Sequence, residues 1–222
     1  MRMNDLTILN VKPEYIPDVF ALITKQATGK AVLNVGAAGG VRGYLPSNRE
    51  GWLHHRLGLV SSELVGVDID TEGIDFAKEH GVRIVNGNCE AMDMEKKFDA
   101  IVLSDVIEHM NAPVTGVCNL MNHLHEGGKL FVTTPNPTAI NLIVRSIVGR
   151  NLNVYWDHVS CYMPEHIQTI CDRYGYRLSG IYFFDHIDRQ NFSNRVKSHL
   201  ARVISRVNPR LSTSFLAVIE HK

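Results

Sequence analysis

Residues 32–40, VLNVGAAGG, are the stretch that decides the fold of this chain. Their apolar beginning predicts a buried strand, and their small residues predict a turn that little side-chain bulk obstructs. A second run, residues 65–69 (VGVDI), places the carboxylate of Asp68 where it can accept hydrogen bonds from the two hydroxyls of a ribose. Together the two runs predict a nucleoside-binding crevice at the carboxyl ends of parallel strands.

The spacing of the small residues argues against a dinucleotide. A dinucleotide fingerprint requires G-x-G-x-x-G, whereas Gly36 is followed here by Ala38 and Gly40. The second glycine of the fingerprint is therefore missing, and the third falls one position early. This spacing disfavours a nicotinamide-dependent oxidoreductase. Taken alone, the cluster is also compatible with a structural turn that binds no ligand.

Composition indicates one globular domain. The chain has 222 residues, of which 45% are hydrophobic, and this suits a single domain over residues 1–222. Its 23 basic and 23 acidic residues balance, which argues against bulk attraction to nucleic acid or to an anionic membrane. The four cysteines share no C-x-x-C spacing, so neither a zinc site nor a disulfide framework is predicted. We find no signal pattern and no membrane-spanning apolar run, and we therefore expect a cytoplasmic protein.

Short apolar runs alternate with helical patterns along the chain. The predicted strands are residues 31–35, 64–68, 82–86, 100–104, 129–134, 176–184 and 214–220. The predicted helices are residues 13–27, 71–80, 113–125, 138–148 and 165–174, with a further helix expected within residues 43–59. Mostly apolar strands that alternate with helices are typical of a doubly wound parallel sheet.

Five blocks, read as a set, resemble a known family. They are residues 32–40, 66–68 (GVD), 87–90 (GNCE), 98–109 (FDAIVLSDVIEH) and 127–136 (GGKLFVTTPN). In this order they resemble the class I S-adenosylmethionine-dependent methyltransferases, and they are most similar to the ubiquinone-biosynthesis-like O-methyltransferase branch. The resemblance implies an α/β fold with a doubly wound, mostly parallel, seven-stranded sheet (Rossmann-like) whose last strand is antiparallel. We expect residues 1–30 to form an amino-terminal helical cap and residues 135–165 to cover the substrate.

The resemblance also implies that the crevice binds S-adenosylmethionine and releases S-adenosylhomocysteine. The small residues of the turn would admit the methionine portion, Asp68 would hold the ribose, and the residues after the next two strands would surround the adenine. The implied cofactor-binding residues are Asn34, Gly36, Ala38, Gly40, Asp68, Ile69, Asn88, Cys89 and Ser104. The family usually carries an acid where Asn34 and Asn88 stand, and an amide keeps the hydrogen-bonding shape of an acid without its charge. These two departures motivate an alternative, a non-catalytic S-adenosylmethionine-binding partner subunit.

Methyl transfer to a hydroxyl requires an aligned acceptor and a group that removes its proton. His109 follows the fourth strand at the rim of the crevice, and His158 lies in the segment that caps the acceptor site in similar enzymes. A histidine near its ordinary pKa is a suitable base, and Asp157 or another carboxylate would orient His158. We therefore predict His109 or His158 as the catalytic residue. His54, His55, His123 and His125 are expected on helix surfaces.

A metal ion is the alternative way to activate the acceptor. Asp105, Glu108 and His109 form D-x-x-E-H, which resembles the E-x-x-E-H arrangement that holds a divalent cation in ubiquinone O-methyltransferases and small-RNA 2′-O-methyltransferases. On a helical turn the three side chains would share one face, and their donor atoms suit Mg²⁺ or Mn²⁺. The interpretation we favour has no metal, with Asp105 capping the helix and the other two forming structural hydrogen bonds.

Two further patterns concern partners. Tyr155, Trp156 and Tyr162 would form an aromatic wall for a ring or a sugar, or would anchor a loop in the core. Residues 189–210 predict a basic amphipathic helix that would touch an anionic lipid surface or a polyanion. The interpretation we favour packs its apolar side against the sheet and leaves its cations in solvent.

The sequence thus predicts a cytoplasmic methyltransferase that acts on an oxygen of a small molecule or a glycan-type metabolite. No nucleic-acid partner is expected, and peripheral membrane contact through residues 189–210 stays open. The alternatives are the non-catalytic partner subunit and a membrane- or RNA-associated methyltransferase.

Overall fold

The computed structural model describes residues 6–152, 154–186 and 192–222, the last range without the side chains of 192–198 and 200. The strands are β1 (Glu14–Tyr15), β2 (Ala31–Val35), β3 (Glu63–Asp68), β4 (Val85–Asn86), β5 (Phe98–Ser104), β6 (Leu124–Pro135), β7 (Tyr176–Phe184) and β8 (Ser214–His221). The helices are α1 (Val19–Ala27), α2 (Leu53–Val60), α3 (Thr71–Glu79), α4 (Pro113–Asn122), α5 (Ile140–Ile147), α6 (Pro164–Tyr174) and α7 (Phe192–Val207).

The strands of the described residues form one sheet with the order β1-β7-β8-β6-β5-β2-β3-β4. β8 runs antiparallel to both of its neighbours, β6 and β7, and the other pairs are parallel. The predicted doubly wound, mostly parallel sheet with a reversed last strand is therefore confirmed. The sheet has one strand more than the seven predicted, because β1 adds to its edge.

The additional strand replaces the beginning of the helix that the sequence predicts from residue 13. Ile16 precedes Pro17, and a residue before proline disfavours the helical conformation. Its backbone N–H instead donates to the carbonyl of Phe183, with 2.8 Å between nitrogen and oxygen. The helix begins only at Val19, where the side chain of Asp18 accepts a hydrogen bond from the N–H of Ala21.

The core lies on both faces of the sheet, as the apolar strands predict. Val32 and Leu33 are neighbours in β2 and point to opposite faces, and both side chains are fully buried. Val32 packs in the layer that contains α1 and α2, whereas Leu33 packs in the layer that contains α4 and α6. The two helical layers cover the faces of the sheet. They leave open one edge, at the carboxyl ends of the parallel strands, where a ligand can bind.

This open edge lies where the order of the strands reverses. β2 stands between β3 on one side and β5 on the other, so the loops that follow β2 and β3 diverge from the loop that follows β5. Ligands of open α/β sheets bind in the crevice at such a switch point, beyond the carboxyl ends of the strands. The switch point is thus the expected place for the site.

The basic helix predicted over residues 189–210 is present as α7, although residues 187–191 lie outside the described part of the chain. Arg202 donates from its guanidinium to the carbonyl of Pro17, and Ser205 is buried, so this part of the helix packs against the body. Val203 and Val207, four residues apart, are exposed. Membrane contact through this helix stays a prediction. Among the described residues, none of the helices combines the length and hydropathy needed to cross a bilayer.

Candidate active site

The turn after β2 has the backbone that its glycines predict. Gly36 has a φ of +74°, and the N–H groups of Gly36 and Ala37 both donate to the carbonyl of Val67 at the end of β3. A Cβ atom on Gly36 would lie 2.4 Å from Cγ2 of Val106. Both the positive φ and this close approach require glycine, so residue 36 leaves the floor of the crevice free of side-chain atoms.

Asp68 ends β3 with its carboxylate held by backbone N–H groups. One carboxylate oxygen accepts from the N–H of Ala38 at 2.7 Å, and the other accepts from the N–H of Asp70 at 2.9 Å. The residue is 8% exposed. Each carboxylate oxygen has a second electron pair, so a carboxylate fixed in this way still accepts hydrogen bonds from a ligand.

A cleft of about 770 Å³ opens between these two loops and the segment after β5. This volume is in the range of pockets that bind a small ligand or cofactor. Of the predicted cofactor-binding residues, those that line it are Asn34, Gly36, Asp68, Ile69 and Ser104. His109, Trp156 and Asp157 line the same cleft from the other side. The structure therefore places a predicted base at the cleft that contains the predicted ribose carboxylate.

His109 is oriented by a pair of oxygens from Asp157. Its Nδ1 lies 3.1 Å from the backbone carbonyl oxygen of Asp157 and 3.0 Å from a carboxylate oxygen of the same residue. Both partners are acceptors, so Nδ1 carries the ring proton and Nε2 of the neutral ring keeps a free electron pair. The sequence suggests Asp157 as one candidate partner of His158, whereas in the structure this carboxylate contacts His109.

Known proteins match both the sequence and the fold. A family described as "Methyltransferase domain" matches residues 48–132. The mitochondrial ubiquinone biosynthesis O-methyltransferase of Rattus norvegicus is 27% identical over 170 residues, which cover 68% of this chain and 45% of the relative. The ubiquinone biosynthesis O-methyltransferase of Coxiella burnetii (strain Dugway 5J108-111) is 30% identical over 143 residues, which cover 61% of this chain and 54% of the relative.

Two solved structures have the same fold. A SAM-dependent methyltransferase from Archaeoglobus fulgidus aligns with a TM-score of 0.57 and 18% identity, over 90% of this chain and 92% of that one. Magnesium protoporphyrin IX methyltransferase from Synechocystis PCC 6803, solved with bound SAH, aligns with a TM-score of 0.61 and 14% identity, over 92% and 80%.

Over residues 48–132 the chain is therefore similar to a methyltransferase domain, and its fold is one that solved methyltransferases share. The chain spans about half the length of three mammalian relatives that it matches, at 42–48% of each.

The other predicted cofactor residues lie away from the lining of the cleft. Ala38 contributes its N–H to Asp68, and Gly40, with a φ of +64°, begins a short 3₁₀ turn. The side-chain oxygen of Asn88 accepts from the N–H of Glu90 at 2.9 Å, and Cys89 is buried. Burial, followed by the charge of Glu90, raises the pKa of the Cys89 thiol to about 11, so this thiol is neutral at physiological pH. Adenine contact by Asn88 and Cys89 stays a prediction.

Glu108 is a buried carboxyl behind His109. One of its oxygens accepts from the hydroxyl of Thr134 at 3.0 Å, and the other has no hydrogen-bond partner. Burial, followed by the charge of Asp105, raises the pKa of Glu108 to about 8. Nε2 of His158 lies 4.0 Å from the unpartnered oxygen, and burial, followed by His109, lowers the pKa of His158. His158 is therefore held near Glu108 and is not among the residues that line the cleft.

The structure changes the membership of the candidate metal set. Donor atoms of Glu108, His109 and His158 all lie within 4.8 Å of one another. Asp105 lies outside this group because it precedes the 3₁₀ turn Ile107–His109 with a φ of +51° and bonds to the Thr133 hydroxyl. One carboxylate and two imidazoles suit a divalent transition metal. The Glu108 oxygen that has no hydrogen-bond partner would be free to coordinate it.

The three predicted aromatic residues separate into two groups. Trp156 is 84% exposed and lines the mouth of the cleft, next to the exposed ring of Tyr155. Tyr162 is buried in the core. Of the three, Trp156 lines the cleft and Tyr162 anchors its segment in the core, and an aromatic wall for a substrate stays a prediction.

Sequence reasoning missed the part of the cleft that comes from α1 and from the region of α2. These lining residues are Phe20, Tyr44, Trp52, Leu53 and His54. The signal that could have found the later ones is the distance from Gly36 to Asp68, which exceeds the roughly 20 residues usual between a glycine turn and its ribose acid. The expectation of surface positions was wrong for His54 and for His123, which are 5% and 6% exposed.

Proposed function

We propose that this domain transfers the methyl group of S-adenosylmethionine to an oxygen of a small-molecule or glycan-type acceptor, with His109 as the general base. The observation that carries the proposal is the geometry of His109 at the cleft. Its Nδ1–H is bonded to Asp157, which leaves the electron pair of Nε2 for an acceptor. Curated relatives named as ubiquinone biosynthesis O-methyltransferases support an oxygen as the methylated atom.

The residues of the cleft fit the cofactor. Asp68 would accept hydrogen bonds from the ribose hydroxyls with the electron pairs that its two backbone contacts leave. Gly36 lines the cleft without a side chain, so the cofactor would approach its backbone directly. Ile69 is 69% exposed, and its apolar side chain would pack against the adenine ring of the cofactor. When bound, S-adenosylmethionine supplies a methyl group on a sulfonium, which is the electrophile.

His109 would remove the proton from the acceptor hydroxyl. Nε2 takes this proton as the oxygen becomes the nucleophile. The imidazolium formed in this way keeps its Nδ1–H bond to Asp157, and the carboxylate stabilises its positive charge. Trp156, beside Asp157, supplies an apolar surface against which an acceptor would pack.

A divalent cation would be the alternative means of activating the acceptor. Glu108, His109 and His158 would hold it, and the unpartnered oxygen of Glu108 is the specific observation in its favour. A bound cation would lower the pKa of a coordinated hydroxyl, so that no protein base is needed.

The proposal is tested by binding and transfer measured on the same protein. We expect calorimetry to detect binding of S-adenosylhomocysteine, and methyl-labelled cofactor to transfer its label to at least one member of a panel of hydroxylated small molecules and sugars. His109→Gln should reduce this turnover by about a hundredfold or more and leave S-adenosylhomocysteine binding unchanged. His166→Gln is the matched control, because His166 is exposed at the start of α6 and lies outside the cleft lining.

Two results would contradict the proposal. Absence of S-adenosylhomocysteine binding would show that S-adenosylmethionine is not the cofactor of this cleft. Binding without transfer to any acceptor of the panel would favour the non-catalytic partner subunit.

A further inference from the structure

Asn34 and His54 form a buried pair at the wall of the cleft. Nδ2 of Asn34 lies 3.2 Å from Nδ1 of His54, and the two residues are 4% and 5% exposed. Both residues also line the cleft. The family resemblance assigns an acid to position 34 and nothing to position 54, so the pairing is a feature of this chain's own residues.

The pair is neutral. Burial, followed by the charge of His55, lowers the pKa of His54 to about 4, so its ring is uncharged at physiological pH. With the ring proton on Nε2, Nδ1 of His54 accepts the hydrogen bond that the amide nitrogen of Asn34 donates. This contact uses the nitrogen side of the amide and leaves the oxygen side free.

The amide oxygen of Asn34 is available to a ligand. Within the described part of the chain, no protein donor bonds to this oxygen. The oxygen is also absent from the set of fully buried polar atoms that lack a partner. Because Asn34 lines the cleft, its free oxygen can accept a hydrogen bond there.

The neighbouring residues hold the His54 ring in place. Gly66 of β3 is the register partner of Asn34 in β2, and a Cβ atom on Gly66 would lie 2.6 Å from Cε1 of His54. Trp52 packs its ring with a centroid 5.1 Å from that of His54 and donates from Nε1 to the carbonyl of Ala37 in the glycine turn. The imidazole of His54 thus packs over Gly66, which has no side chain, and against the ring of Trp52.

We propose that His54 is a positioning residue, which fixes the Asn34 amide so that its oxygen accepts a hydrogen bond from the ammonium group of the bound cofactor's amino-acid tail. This inference rests on the proposed function, in which the cleft binds S-adenosylmethionine. The resemblance implies that the methionine portion lies at the glycine turn, and Asn34 lines the cleft two residues before Gly36, so the tail would pass close to this amide. The oriented amide oxygen of Asn34 would then accept this hydrogen bond in place of the acid that the family usually carries at this position, without burying a charge.

The test compares two ligands that differ only at the tail. S-adenosylhomocysteine carries the ammonium group, whereas 5′-methylthioadenosine is the same thioether nucleoside without the amino-acid portion. We expect His54→Leu to weaken S-adenosylhomocysteine binding about tenfold in calorimetry, because a free amide rotates away from the ammonium. The affinity for 5′-methylthioadenosine should change less than about twofold, since that ligand does not reach the amide.

Two further variants serve as controls. His54→Asn keeps an acceptor close to the position of Nδ1 and should restore S-adenosylhomocysteine affinity to within about threefold of the unmodified protein. His55→Leu changes the neighbouring, partly exposed histidine of α2 and should leave both affinities unchanged.

The possible results are distinct. Loss of both ligands to the same degree in His54→Leu would overturn the inference, because it would mean that the ring only shapes the cleft. Unchanged S-adenosylhomocysteine affinity in that variant would also overturn it. An unmodified protein that binds neither ligand would overturn the proposed function itself.

Discussion

Nδ1 of His109 lies 3.0 Å from a carboxylate oxygen of Asp157, although 48 positions separate the two residues in the sequence. The contact joins the 3₁₀ turn after β5 to the segment that precedes α6. The same two segments are joined by backbone bonds, since the carbonyl of Glu108 accepts from the N–H groups of Val159 and Ser160. The orientation of the proposed base therefore depends on a segment that is remote in sequence and fixed to the rim of the cleft.

Removing the charge of Asp157 should reduce turnover without affecting cofactor binding. Asp157→Asn keeps a side-chain oxygen as acceptor and loses the carboxylate that stabilises the His109 imidazolium. We expect kcat to fall about tenfold to a hundredfold, with an unchanged Kd for S-adenosylhomocysteine. Steady-state kinetics and calorimetry on the same preparation measure the two quantities. Unchanged kcat would mean that the carboxylate does not assist the base.

Gly36 should tolerate no side chain. Gly36→Ala places a Cβ 2.4 Å from Val106 in a backbone with a φ of +74°, so both packing and conformation are strained. We expect loss of S-adenosylhomocysteine binding and a free energy of unfolding lowered by about 3 kcal/mol, from urea denaturation.

Gly29→Ala is the matched control for that experiment. Gly29 has a φ of +70°, but a Cβ there meets no atom within 4 Å. It should lower stability by only about 1–2 kcal/mol and leave binding intact. Equal effects of the two substitutions would show that the contact with Val106 does not matter.

The buried His54 should make stability depend on pH on the acid side of neutrality. The unfolded chain takes up a proton on this ring below its ordinary pKa of 6.5, whereas the folded protein does so only below a pKa of about 4. The stability contributed by neutral His54 is therefore present above pH 6.5 and is lost as pH falls toward 4, with a total of about 3 kcal/mol.

Substitution of His54 by asparagine isolates this contribution. His54→Asn cannot take up a proton in this range, so its unfolding free energy should fall less than that of the unmodified protein between about pH 7 and about pH 5. Urea denaturation at the two pH values gives the comparison. Parallel losses in the two proteins would assign the acid sensitivity to other groups.

Chelation distinguishes the two ways of activating the acceptor. With His109 as base, we expect treatment with a chelator to leave turnover unchanged and added Mg²⁺ or Mn²⁺ to leave the melting temperature unchanged. If a cation is held by Glu108, His109 and His158, chelation should abolish turnover, and Glu108→Gln should abolish a cation-dependent rise in melting temperature. If chelation abolished turnover and an added cation restored it, the cation would be the group that activates the acceptor, and His109 would not be the general base.

The alternation of strands and helices could be predicted because it is local. A strand such as β5 is buried on both faces, and its near-continuous apolar run is visible without knowledge of its neighbours. The two-residue β1 could not be predicted, since it forms by pairing with β7, which is remote in sequence, at the edge of the sheet. Its presence also depends on Pro17, which delays the helix.

The site was predictable where one loop supplies it and unpredictable where two loops meet. The turn at Gly36 and the carboxylate of Asp68 are features of single stretches, and the sequence prediction placed both at the cleft. The partner of His109 depends on how a distant segment folds back, and the spacing of residues carries no information on this. The burial of His54 likewise depends on Gly66 in another element.

The position of β8 has a consequence for how the protein is made. The last strand described, β8, lies inside the sheet, between β6 and β7, and separates these two strands. While residues 214–221 are still within the ribosome, the nascent chain has a gap in the middle of its sheet. We therefore expect the complete sheet to form only after residues 214–221 have emerged, and a chain truncated before Ser214 to lack the strand that joins β6 to β7.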